Sequence, residues 1–180
     1  MPAARLQKIL QDLAPRLAQE DEQAFGQPSG PGKWSKRQIL GHLIDSAYNN
    51  HQRFLRGQRG DALVFQGYQQ NEWVTLNRYH NRSSKEVINT FLVVQEHLAH
   101  MLSRIPAEVL NKPISQHNYQ EIAMRSIDEK ETVSLGLLIE DYLYHLLHHI
   151  RQLYPDFEAE WYLGYRESTD HRLNYNKRLV

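Results

Sequence analysis

The spacing of apolar residues does most to limit what this chain can fold into. Four segments repeat apolar residues every three or four positions, and none alternates with period two for more than a few residues. The first segment runs from about Ala4 to Phe25, with Leu6, Ile9, Leu10, Leu13 and Leu17 on one face. Pro15 is expected to kink or split it. After the Pro/Gly/Ser loop G-Q-P-S-G-P-G-K-W, the phrase S-K-R-Q from Ser35 fits a capping box and opens a second helix to about Leu55. Gly57, Gly60 and Gly67 place a loop next, with a short helix expected around Asn71 to Tyr79. Ser83, three residues before Glu86, is a second capping-box candidate. The helix it opens carries Val87, Phe91, Leu98 and Leu102 on its apolar face, and Pro106 marks its end. Residues 107–131 read as polar and irregular. The last long helix starts near Thr132 or Ser134 and stops at Tyr154, because Pro155 disfavours a helical residue before it.

Four such stripes are buried most simply helix against helix, so the expected fold is all-α, a four-helix bundle. Its connection between helices two and three is long, about 25 residues, and such connections often cover a site. The length suits a single domain over residues 1–180, with 156–180 as a C-terminal extension. Phe157, Trp161, Tyr162, Tyr165 and Tyr175 make that extension aromatic, which favours docking on the bundle or on a second subunit.

Composition removes several function classes. Lys+Arg and Asp+Glu are both 21, which argues against a nucleic-acid or anionic-membrane partner. Without cysteine there are no disulfides, thiolate ligands or cysteine nucleophiles. The N-terminus lacks the apolar stretch of a signal peptide, and no run of apolar residues is long enough to span a bilayer. A cytoplasmic protein is expected.

Ten histidines are the compositional oddity. On the last helix His149 lies about 40° from His145 and inside the apolar stripe, whereas His148 turns about 60° the other way. Two imidazoles at i, i+4 share a face and can reach one ion. The same spacing equally fits a buried hydrogen-bonded pair, so a metal site needs a third ligand from elsewhere. His42 is the best internal candidate, on the border of the buried face of its helix, with Asp45, Ser46, Asn49 and Arg53 in a polar strip beside it. That strip reads equally as a solvated face. His51, His80, His97, His100, His117 and His171 read as surface or packing residues.

Two phrases then carry a resemblance. W-S-K-R-Q-I-L-G-H-L-I-D-S from Trp34, followed a hundred residues later by Y-H-L-L-H-H-I-R-Q from Tyr144, resembles the DinB/YfiT-like superfamily of metal-dependent four-helix bundles, members of which are described as metal-dependent hydrolases. G-Y-Q-Q-N-E-W-V from Gly67 is similar with less specificity. The resemblance implies His42, His145 and His149 as ligands of one divalent ion, nickel or zinc, with open coordination positions, and often a homodimer. For some members it implies transfer chemistry with a low-molecular-weight thiol such as bacillithiol or mycothiol.

Three neutral imidazoles leave an ion its full charge, able to acidify a bound water or thiol and to polarise a carbonyl. The chain cannot supply a thiol but could activate one brought as cosubstrate. H-L-L-H-H lacks the glutamate of H-E-x-x-H, so it does not read as a metalloprotease. Asp45 and Asp141 are the nearest candidates for a catalytic carboxylate, and either could instead orient an imidazole. Arg53 would favour an anionic substrate. Three functions stay open: thiol S-transfer, hydrolysis of a small molecule, and a non-enzymatic metal- or ligand-binding bundle.

Overall fold

The computed structural model describes residues 1–159, and within them every regular element is helical. In order these are α1 (Pro2–Leu17), α2 (Glu22–Gly26), α3 (Lys36–Gly57), α4 (Gln70–Asn77), a 3-10 turn (Tyr79–Asn81), α5 (Ser84–Leu102), α6 (Ala107–Asn111), α7 (Tyr119–Ile122) and α8 (Leu135–Leu153). Among the described residues β pairing is confined to isolated bridges, Pro28 with Ser35, Leu63 with His117 and Ile114 with Val133. Trp161, Tyr162, Tyr165 and Tyr175 of the aromatic extension lie outside the described residues.

Both capping boxes form. The Ser35 hydroxyl accepts from Gln38 N at 3.2 Å while Gln38 Oε1 accepts from Ser35 N at 3.0 Å. Ser83 and Glu86 make the same reciprocal pair. The first segment, to Phe25, splits as its proline led us to expect. Pro15, in the last turn of α1, has no N–H to continue the ladder, and α1 ends at Leu17. A new helix starts at Glu22, where Asp21 caps Gln23 N and Ala24 N. Residues 107–131 hold the short α6 and α7, of one turn or little more, too short to leave a periodic signature.

Contacts group the chain into two compact units. The first comprises residues 1–52 and 68–104. Here α1 packs along α5, and Leu6, Leu13, Val87 and Phe91 lose all exposure to solvent. Each such side chain contributes roughly 1.5–3 kcal/mol of apolar burial. Arg37 ties this unit together through the Glu22 carboxylate and carbonyl, the Ser84 hydroxyl and the His80 carbonyl. The end of the long connection is seated on α3 by a close approach. A Cβ at Gly41 would lie 2.2 Å from the Tyr79 ring, so only glycine lets that ring lie against the helix. Arg78 takes the left-handed conformation, φ 49°, to turn α4 into the 3-10 turn that delivers Tyr79.

Among the described residues, the second unit comprises 53–67 and 105–159. It is built around α8, whose Leu135, Ile139, Leu143, Leu146 and Ile150 are buried and against which α6 packs. Phe54 meets Tyr142 edge to face at 5.7 Å. The loops are pinned by backbone bonds between Ile114 and Val133 at 2.8 and 2.9 Å, and by Asn118, whose side chain brackets Phe65 N and O at 2.9 Å each.

Candidate metal centre

The fourth long helix carries its two histidines where the 3.6-residue period puts them. His145 is half-buried and His149 buried, their ring centres 4.6 Å apart with planes at 75°. His149 Nδ1 lies 2.9 Å from Gln152 Oε1, an acceptor, so this nitrogen carries the proton and Nε2 keeps the lone pair that a metal requires. The Gln152 amide nitrogen donates to His148 Nε2 at 3.2 Å, one turn back. A single glutamine thereby sets the tautomer of His149 and also engages His148, whose ring centre lies 5.0 Å from that of His149. Burial pushes the His149 imidazole down to about 4, so it is neutral across the physiological range. Gln152 escaped the sequence reading, although its spacing of i+3 and i+4 from the two histidines was a usable signal.

His42, on α3, is fully buried, and the Trp34 ring sits 5.3 Å from it at 36°. Trp34 lies just before the Ser35 cap, so the turn that starts the helix also brings the indole to the histidine. One ring nitrogen from each of His42, His145 and His149 lies within 4.8 Å of the others. Among the described residues this is the group of three or more His, Cys, Asp or Glu side chains arranged to hold an ion. A donor set of three neutral imidazoles suits zinc, nickel, copper or iron rather than magnesium or calcium, which select oxygen. The residues present fit the ion that the sequence implies.

The remaining candidate residues have definite partners. Asp45, buried at 3% exposure one turn beyond His42, accepts at Oδ1 from Tyr79 OH at 2.6 Å and from Asn77 Nδ2 at 2.9 Å. Its Oδ2 is buried without a hydrogen-bond partner. Burial outweighs the two donors and pushes the carboxyl up to about 6. Asp141 spends both oxygens on the chain around α7: Oδ2 accepts from Met124 N at 2.9 Å, and Oδ1 from Arg125 N and Nε at 3.1 and 3.2 Å. Arg53 is buried and donates to the Gln66 carbonyl at 3.0 Å, bracing the start of the connection. His117 bridges Glu131 O and Tyr119 N, and so is a packing residue. A cavity of about 340 Å³, lined in part by Gly57, Leu63, Ile114 and Leu135, has none of the three histidines in its wall.

The model of the DinB superfamily matches residues 3–153, from α1 to the end of α8. A solved structure titled "YfiT from Bacillus subtilis is a probable metal-dependent hydrolase with an unusual four-helix bundle topology" is 18% identical, with a TM-score of 0.65 over 83% of this chain and 80% of that one. At that identity the likeness speaks for the fold, an all-α four-helix bundle. A search of curated proteins finds no match.

Proposed function

Because the chain belongs to the DinB superfamily, we propose that it is a divalent-metal-dependent enzyme acting on a small molecule, transferring a group to a low-molecular-weight thiol. The observation that carries the proposal is the approach of three imidazole nitrogens, contributed by α3 and α8, to within 4.8 Å of one another with no carboxylate or thiolate among them. Nickel or zinc bound there would acidify a coordinated thiol or water and polarise the electrophile. The chain's own residues do the rest. Gln152 holds His149 with its lone pair presented, and Trp34 covers His42. Asp45 offers an oxygen with no hydrogen-bond partner, on a carboxyl poised near 6, to accept the proton of the nucleophile. A chain without cysteine must borrow any sulfur it uses.

Hydrolysis is the second reading, favoured by that same Asp45 oxygen, which could deprotonate water as readily as a thiol. Homodimerisation and a cytoplasmic location belong to the proposal as well. No helix among the described residues is long and apolar enough to cross a membrane. The test is turnover of small electrophiles and esters by the zinc- or nickel-loaded, tag-free protein, with and without bacillithiol- or glutathione-like thiols. Turnover requiring both ion and thiol supports S-transfer. Metal-dependent turnover without thiol replaces it with hydrolysis. Metal binding with no turnover across the panel overturns both and leaves a binding protein.

A further inference from the structure

Two other histidines are brought together by the fold. His51 stands in the second half of α3 and His97 in the second half of α5, inside the same compact unit, with ring centres 5.1 Å apart and planes at 42°. Two imidazoles bound to one ion at roughly 2.0–2.1 Å, with ligand angles of about 90–110°, have ring centres roughly 4.5–5.2 Å apart. The pair falls in that window, as His145 and His149 do at 4.6 Å. Core packing does not account for it, since His97 is exposed and His51 half-buried. Neither ring is hydrogen-bonded to another described residue, so the nitrogens are not committed elsewhere.

We infer that His51 and His97 form a second, surface site for a borderline-soft divalent cation, separate from the cluster of His42, His145 and His149. Each ligand sits on a helix of 19 or more residues, so its backbone is already held in place before the ion arrives. Burial and the neighbouring ring lower the proton affinity of His51, which keeps its lone pair available at neutral pH. With two nitrogen donors and no carboxylate, affinity follows Cu²⁺ above Ni²⁺ and Zn²⁺, and excludes the oxygen-seeking Mg²⁺ and Ca²⁺. Water fills the other positions, so the ion exchanges readily and is open to further ligands.

The experiment uses tag-free, metal-stripped protein, read by equilibrium dialysis against Zn²⁺ and by retention on an immobilised Ni²⁺ column. His97 is exposed, so His97→Ala should preserve the helical circular dichroism of the parent. The parent should bind one Zn²⁺ per chain more than His97→Ala, and should be retained on the column. Retention should be lost in His51→Ala and His97→Ala, and kept in His100→Ala. Counting only the ion that depends on His97 makes the result independent of whether the His42 cluster is loaded. Equal zinc content and equal retention in the parent and His97→Ala would overturn the site. So would loss in His100→Ala with His51→Ala unaffected, which would place the ligand pair within α5.

Discussion

Replacing Asp45 by Asn tests the environment of the candidate site without touching a histidine. Asp45 Oδ1 takes hydrogen bonds from Tyr79 and Asn77, and the asparagine carbonyl can take the same two. What changes is the charge and the atom at Oδ2, which has no hydrogen-bond partner. Burial raises this carboxyl from 3.8 to about 6, so the folded state holds the proton more tightly than the unfolded chain does. The stabilisation is complete below the unfolded value and is lost as pH climbs through 6. Integrated between pH 4.5 and 8, the loss is about 2 kcal/mol, and the whole range is worth at most about 3 kcal/mol. Asparagine does not titrate. Its amide nitrogen enters a place with no acceptor, at a constant penalty of about 1–2 kcal/mol. The variant should therefore be less stable than the parent at pH 4.5 and should gain on it by about 2 kcal/mol by pH 8. Urea unfolding of metal-free protein across that range measures the difference, and the other titrating groups cancel between the two proteins. Chelation matters, because a nearby divalent ion would itself favour the carboxylate. A difference that stays within about 0.5 kcal/mol from pH 4.5 to 8 would refute the reasoning.

Gly41→Ala should destabilise the protein by about 2 kcal/mol in the same assay, because a Cβ 2.2 Å from the Tyr79 ring outweighs the roughly 1 kcal/mol that alanine gains in a helix. A neutral or stabilised variant would show that the ring does not rest there. Replacing His42, His145 or His149 by Ala should remove the ion that survives dialysis, whereas His148→Ala should keep it, since His148 is turned to Gln152. Elemental analysis decides this, and equal loss in the His148 variant would sink the ligand assignment. Gln152→Ala leaves all three ligands in place yet should weaken zinc binding by about 10–100-fold, measured by competition with a chelator, because the His149 tautomer is no longer fixed. Unchanged affinity would remove Gln152 from the site. Adding Ni²⁺ should quench part of the tryptophan emission through Trp34, 5.3 Å from His42, and the quenching should vanish in His42→Ala. Quenching that persists in that variant would point to a different binding place.

What the sequence determined by itself is whatever depends on neighbours within about a turn of helix. Period and capping placed α3, α5 and α8 within one to four residues of their observed ends, because Ser35, Ser83 and Ser134 satisfy the first backbone donors of their own helices. The pairing of His145 with His149, and the turning away of His148, are consequences of the same 100° step. Pro15 marked where the first helix divides, whereas the two short helices after Ile105 are too short to leave any periodic pattern. The roles of Asp45, Asp141 and Arg53 could not be read from their helical faces. The partners named above, Tyr79 in a 3-10 turn, Asn77 at the end of the short α4, the backbone of residues 124–125, and the Gln66 carbonyl, come from short or irregular segments. The meeting of His51 with His97 was likewise decided by tertiary structure alone. Those two residues are 46 positions apart, and no local periodicity relates side chains on different helices. Only packing sets that distance, because burying the apolar stripes fixes which polar residues at their borders end up facing one another.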